Sequence, residues 1–279
     1  MNDKTTPKVS VIMGVYNCAN TLNEAIDSLL EQTFQDFELI LCDDASEDDT
    51  KSVAEKYCYD YPDKIHLISN EHNLGLNKTL NKCLKQAQGE YIARMDGDDI
   101  SLSDRFQIEV DFLDNNPEYA IVSTSMIQFD ETGDWGVQKK IERPQVKDFI
   151  HHSPFFNHAT CMIRAKAFIE VGGYSEDDRT LRFEDCHLWY KMYAAGYKGY
   201  NIQEPLYKMR DDRSAYNRRT MKARMRAPYV KYLGFKMLKM PWYDYYFVVE
   251  SYIMNFVKGL TPKFIYDMYR RKKFNPNER

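Results

Sequence analysis

The sequence predicts an α/β protein with a Rossmann-like, mostly parallel central sheet and helices on both faces. Three observations carry that expectation. Apolar runs of strand length alternate with helical periodicity through the first 125 residues. Alternation of this kind belongs to a sheet buried on both sides. Three of the segments end in polar clusters, Tyr16-Asn17, Asp43-Asp44 and Asp96 to Asp99, and such sheets bind ligands beyond the carboxyl ends of their strands. The length of 279 residues leaves room for a sizeable core, and 43% apolar with 29% charged residues excludes a disordered or collagen-like chain.

Val9 to Tyr16 reads as the first strand. Thr21 and Glu24 have the spacing of a capping box, and Leu22, Ala25, Ile26, Leu29 and Leu30 then recur at helical spacing. Phe37 to Cys42 is a second strand. Helices near 50–59 and 77–87 bracket a strand at Ile65 to Ile68, Gly89 stops the second helix, and Tyr91 to Met95 feeds Asp96-Gly97-Asp98-Asp99. A helix over Asp104 to Asp114 and a strand over Ala120 to Ser125 follow. After Gln128 the pattern loosens. A strand is expected at His158 to Ile163, a turn at Gly172-Gly173, a helix opened by Glu184-Asp185, and an extended segment at Glu204 to Arg210. From Arg213 the chain reads as helical, basic and aromatic.

The net charge of −4 hides a split: residues 1–212 carry −16 and residues 213–279 carry +12. The first eight residues are polar, with no apolar signal core, which predicts a cytoplasmic protein. Six scattered cysteines without a CxxC pair fit buried thiols of a reducing compartment. The most apolar stretch, Trp242 to Val257, contains Asp244 and Glu250 and is too short to span a bilayer.

Asp96, Asp98 and Asp99 place three carboxylates in four residues at a strand end. They form either a solvated acidic turn or a site neutralised by a hard cation such as Mg²⁺ or Mn²⁺, which takes one or two carboxylates plus substrate phosphates. The apolar strand before them favours the second. Asp44 can accept from a base N–H, whereas Ser46 and Asp48 fit helix capping. Tyr16 either stacks on a nucleobase or shields the sheet edge. Glu184-Asp185 suits a helix dipole as well as a general base. His158 is either a hydrogen-bonded core residue or an acceptor contact. His151-His152 are adjacent and share no face. There is no GxxxxGK[ST], HExxH or GxSxG motif.

Taken in order, Val9 to Asn17, Asp43-Asp44-Ala45-Ser46, Asn73-Leu74-Gly75, Gly89 through Met95 to Asp99, and Glu184-Asp185 with Leu188-Trp189 resemble glycosyltransferase family 2 over residues 8–212. The resemblance implies a GT-A fold over 1–212, with a nucleotide-binding half at about 1–99 and an acceptor half at 100–212; the C-terminal helical extension expected at 213–279 lies outside it. It also implies a nucleotide-sugar donor, most often a UDP-sugar, a Mn²⁺ or Mg²⁺ ion, and inversion. By position, Tyr16 lies against the base, Asp44 binds it, Asp96 faces ribose and phosphates, and Asp98 holds the metal. Asp185 matches the catalytic base, with Glu184 beside it on the acceptor side. Two departures stand out: Gly14 replaces a frequent hydroxyl residue, and Asn77, Lys78 and Asn81 stand where many relatives have an Arg-Asn pair.

The tail interleaves lysines with aromatics between Tyr229 and Lys273. It suits peripheral contact with the inner face of an anionic membrane, near a lipid-linked or glycan acceptor. The competing expectation is packing on the catalytic domain or in a homodimer. Nucleic acid is not expected to bind. A sugar-phosphate nucleotidyltransferase would need a Gly-rich basic loop after the first strand. A catalytically silent nucleotide-sugar or carbohydrate binder would not need Asp96, Asp98 and Asp185 together.

Overall fold

The fold is that of a computed structural model describing residues 6–151, 155–211 and 220–261, with residues 265, 268, 272 and 274 beyond them. His152, the chain at 212–219 and all of Arg270 to Lys273 except Lys272 lie outside the described residues, so the expected boundary at 212/213 falls there too.

The first half follows the expected alternation: β1 (Val9–Val15), α1 (Ala19–Leu30), β2 (Phe37–Asp43), α2 (Thr50–Asp60), β3 (Ile65–Ser69), α3 (Leu76–Gln86) and β4 (Tyr91–Arg94). The short β5 (Ile100–Ser101), α4 (Arg105–Asn115), β6 (Ile121–Asp130) and β7 (Gly133–Gln138) come next. They lead to β8 (Met162–Arg164), α5 (Ala165–Glu170), α6 (Glu184–Ala194) and β9 (Gly199–Arg210). Among the described residues all nine strands join one sheet in the order β3-β2-β1-β4-β8-β6-β9-β5, with β7 hydrogen-bonded to β6. Strands β3, β2, β1 and β4 are parallel, and β6 and β9 run the same way, while β5, β7 and β8 run against them.

Side-chain alternation explains why helices cover both faces. Val9, Val11, Met13, Leu39 and Leu41 point to one face, where α1 (Leu22, Ile26, Leu29) and α4 (Phe106, Val110, Leu113) pack. Ile12, Ile40, Cys42 and Ile92 point to the other, against α3 (Leu80, Leu84), α5 (Phe168) and α6 (Leu188, Trp189, Met192). Gly14 belongs to this contact. A β-carbon there would sit 3.1 Å from Thr79 Cγ2 and 3.3 Å from Leu76 Cδ1, so the missing side chain lets α3 press onto β1.

Three local expectations are corrected. The helix α1 starts at Ala19, so Thr21 lies inside its first turn and no Thr21–Glu24 capping box forms. The free N–H groups are met from the β2–α2 loop and the first residue of α2 instead: Cys18 N donates to Thr50 Oγ1 at 2.8 Å and Ala19 N to Asp48 Oδ2 at 3.1 Å. His158 to Thr160 form a 3-10 turn, and only Met162 to Arg164 are strand. The loosening expected after Gln128 comes later: β6 runs on to Asp130 and turns into β7, and regular structure gives way after Gln138.

The tail is α7 (Met221–Arg224), α8 (Arg226–Met237), a 3-10 turn (Trp242–Tyr245) and α9 (Tyr246–Leu260). The first part packs on the body: Val230 and Phe235 are fully buried in the cluster that holds Trp189 and Tyr190. At Gly234 a β-carbon would stand 2.3 Å from the Tyr190 ring, so α8 and α6 approach as closely as backbone allows. Gly234→Leu is therefore expected to lift α8, lowering stability by about 1–3 kcal/mol and speeding protease cleavage within 220–260. Unchanged denaturant midpoint and unchanged cleavage would contradict this packing.

Candidate active site

Strands β2, β1 and β4 are parallel neighbours, so their carboxyl ends bring Asp43-Asp44, Tyr16-Asn17 and Asp96 to Asp99 to one edge of the sheet. The turn at His158 reaches the same edge, because Arg94 N donates to Cys161 O at 2.9 Å.

Tyr16 is 45% exposed at this edge. After it, Asn17 takes a φ of 50° and Ala45 a φ of 59°. The left-handed region costs a residue with a β-carbon about 1–2 kcal/mol. Asn17 offsets part of that by accepting from Glu47 N at 2.9 Å. Asp44 is buried, and its carboxylate accepts from Asn70 Nδ2 (2.7 Å), Leu74 N (2.8 Å) and Gly75 N (2.9 Å). It therefore anchors the Asn73-Leu74-Gly75 segment, with acceptor capacity left on Oδ2.

The three carboxylates at the β4 end are separated by their partners. Asp96 Oδ1 receives both terminal nitrogens of Arg94, each at 2.6 Å. Arg94 is buried, and although burial opposes its charge, Asp96 together with Tyr174, Tyr207 and Glu184 more than restores it. Asp99 faces inward: Tyr207 Oη donates to its Oδ2 at 2.9 Å and Arg210 N to its Oδ1 at 2.8 Å. Burial, followed by the charges of Asp96 and Asp98, pushes the Asp99 carboxyl well above the usual range. Tyr207 Oη also accepts from Asp96 N at 3.3 Å, and the Arg210 Nε donates to Asp98 O at 2.9 Å. The turn is thus gripped by β9, and the Asp98 carboxylate stays half-buried at the site.

Glu184 and Asp185 occupy the first turn of α6, which has no side-chain cap. Asp185 Oδ1 accepts from Cys186 N at 2.7 Å, and burial raises its carboxyl above the usual range. Burial and the neighbouring Asp185 charge push Glu184 up to about 7. The Glu184 Oε2 has no hydrogen-bond partner among the described residues. Arg94 and Glu184 feel each other's charge, so one buried guanidinium is electrostatically shared between Asp96 and the α6 start. His158 pairs its Nε2 with Tyr174 Oη at 2.7 Å. Burial, then the Arg94 charge, holds its imidazole well below the ordinary value, hence neutral at pH 7.

Arg94, Tyr174, Tyr207 and Arg210 were not singled out from sequence. Arg94 had a local indication: an arginine inside an apolar strand, two residues before Asp96, shares a strand face with it and needs a counter-charge. Tyr207 and Arg210 had none, since their partners are over 100 residues away. The departures at Asn77 and Asn81 also find a use. Asn81 accepts from Tyr174 N and donates to Tyr174 O, both at 2.9 Å, and Asn77 Nδ2 donates to Ser175 O at 2.7 Å. They staple α3 to the segment that positions His158.

Removing Arg94 as Arg94→Met strips the partner from Asp96 beside two further carboxylates. The expected loss is about 1.5–3 kcal/mol, read by urea unfolding at pH 7. A variant as stable as the parent would contradict the role assigned to this contact.

The model of the family Glycosyl transferase family 2 matches residues 10–172. The putative glycosyltransferase EpsE of Bacillus subtilis (strain 168) is 41% identical over 267 residues, covering 96% of this chain and 94% of that one. An Escherichia coli UDP-Gal:alpha-D-GlcNAc-diphosphoundecaprenol beta-1,3-galactosyltransferase is 31% identical over 219 residues, covering 77% and 78%. Among solved structures, the mannosyltransferase PcManGT of Pyrobaculum calidifontis, in complex with GDP-Man and Mn²⁺, superposes with a TM-score of 0.65 at 19% identity, over 92% of this chain and 76% of that one. The sheet and its flanking helices have the GT-A fold, and the chain belongs to glycosyltransferase family 2.

Proposed function

We propose that this enzyme transfers a hexose or N-acetylhexosamine from a UDP-sugar to a hydroxyl of a lipid-linked glycan, with inversion, in polysaccharide assembly, working from the cytoplasmic side. The observation that carries the reading is the division of labour among adjacent carboxylates. Asp96 is neutralised by Arg94 and Asp99 is turned inward, while Asp98 lies half-buried in the same turn, and Glu184 and Asp185 place a second acidic pair at the start of α6. The acceptor class is taken from the galactosyltransferase relative, whose name specifies a diphosphoundecaprenol-linked sugar.

The donor set fits a divalent cation. The side chains on offer at the β4 end are hard carboxylate oxygens, which suit Mg²⁺ or Mn²⁺ held by one or two carboxylates with substrate phosphates completing the shell. Asp98, with the free Asp96 oxygen, would hold it. Such an ion would neutralise charge on the departing diphosphate.

The rest follows from the chain's own groups. Tyr16 and Asp44 would face the base, and Asp96, kept in place by Arg94, the ribose and phosphates. Asp185 would take the proton of the attacking acceptor hydroxyl, and burial brings its basicity closer to that task. One displacement from the opposite face inverts the anomeric centre without a protein nucleophile. Neutral His158 and Glu184 line the acceptor side. Because Glu184 sits near neutrality, it can donate to or accept from a sugar hydroxyl.

Asp185→Asn is expected to lower kcat by about 10²–10⁴ while UDP affinity, measured by calorimetry, stays within a few fold. In the parent, kcat/KM should fall on the acid side at a pH above the ordinary aspartate range, because burial favours the protonated carboxyl. Near-normal turnover by the variant, or a rate independent of pH down to 4, would remove Asp185 from this role.

A further inference from the structure

The described tail divides into two parts with different surroundings. Helix α8 is sealed against α6 through Val230, Gly234 and Phe235. Helix α9 is not. Its inner side, around the buried Val248, faces α7 and α8, whereas Tyr246, Val249, Ile253, Phe256 and Leu260 are between 53% and 67% exposed. These residues fall at intervals of three and four, so they form one stripe along the helix. Trp242, in the turn before it, is 85% exposed. Only Glu250 and Lys258 are charged within Tyr246–Leu260. Soluble monomers rarely expose a contiguous apolar patch of this kind without an occupant.

We infer that this stripe docks in the interface of an anionic phospholipid bilayer, with α9 lying in the membrane plane. Charge selects that occupant. The chain beyond residue 212 carries +12, and Lys236 and Lys239, at the end of α8, and Lys258 on α9 itself are exposed. Basic residues beside an apolar helical face, led by Trp and Tyr, bind anionic headgroups while the apolar side enters the acyl boundary. A two-fold contact between copies would instead bring two such basic tails together. Helix α9, at 15 residues, is too short to cross, and among the described residues no helix is long and apolar enough to do so. The earlier expectation of contact through 229–273 is thereby narrowed: α8 is committed to the body, and 242–260 is the docking face. The inference deepens the proposed function by naming the surface where a lipid-linked acceptor would be met, and it rests on that reading only for the acceptor.

The test is flotation of the full chain with vesicles of phosphatidylcholine alone or with about one-third phosphatidylglycerol. A double variant, Ile253→Glu with Phe256→Glu, changes exposed side chains only. The parent should float with the anionic vesicles, less so as salt is raised, and the variant should partition at least about tenfold more weakly. A parent that stays unbound, a variant that floats equally, or a parent dimer that the variant converts to monomer without vesicles would overturn the inference. Calorimetry with UDP and Mn²⁺ separates the two readings. A parent that binds nucleotide but does not float refutes docking alone. One that floats but binds no nucleotide supports docking and refutes the proposed donor site.

Discussion

Three aspartates within four residues at the end of a buried strand repel one another, and the site depends on how that repulsion is relieved. The buried guanidinium of Arg94 relieves it on one side by gripping Asp96. Arg94 is itself braced: Arg105 donates to its carbonyl oxygen at 3.1 Å, and Arg105 is paired with Glu109 on α4 at 3.2 Å. Glu109 and Arg105 are fully buried, and burial pushes the Glu109 carboxyl up to about 7. Breaking one partner of such a pair costs far more than the pair contributes, because the remaining charge is left stranded. On the other side, Tyr207 and Arg210 of β9 take Asp99 out of the conflict. A sheet-end turn is thereby held from β4, α4 and β9 together.

The legible parts of the fold were those set by short-range physics. Period-two and period-3.6 patterns located β1 through α4, because strand and helix faces there are buried against a continuous core. What stayed hidden depends on distant partners. The α1 start is capped by Asp48 and Thr50 rather than by its own Glu24, a choice no local motif encodes. His158 lies in an apolar run that suggested a strand. Asn157 and Thr160 bend it into a turn by bonding to Ser123 and Thr124 on β6. In the site, Asp96, Asp98 and Asp185 were visible because clustered charge at element ends is conspicuous. Arg94 was visible only as an anomaly in an apolar strand, and Tyr207 not at all.

The charge split acquires a spatial meaning. The acidic body contains the carboxylates at the sheet edge, and the basic tail carries the apolar stripe of α9. Helix α8, anchored on α6, ties the two, and α6 is the helix that opens with Glu184 and Asp185. The apolar stripe of α9 and the acidic pair of α6 are thus linked through one packed helix–helix contact at Gly234 and Tyr190.

In the proposed site Arg94 steadies Asp96 while Asp98 meets the metal, and a crystal structure with a UDP-sugar and Mn²⁺ separates these duties. Asp98 is expected on the metal, with Arg94 still bonded to Asp96 and Asp99 still facing Tyr207. A metal bound by Asp99, or an Arg94 released from Asp96, would contradict this assignment.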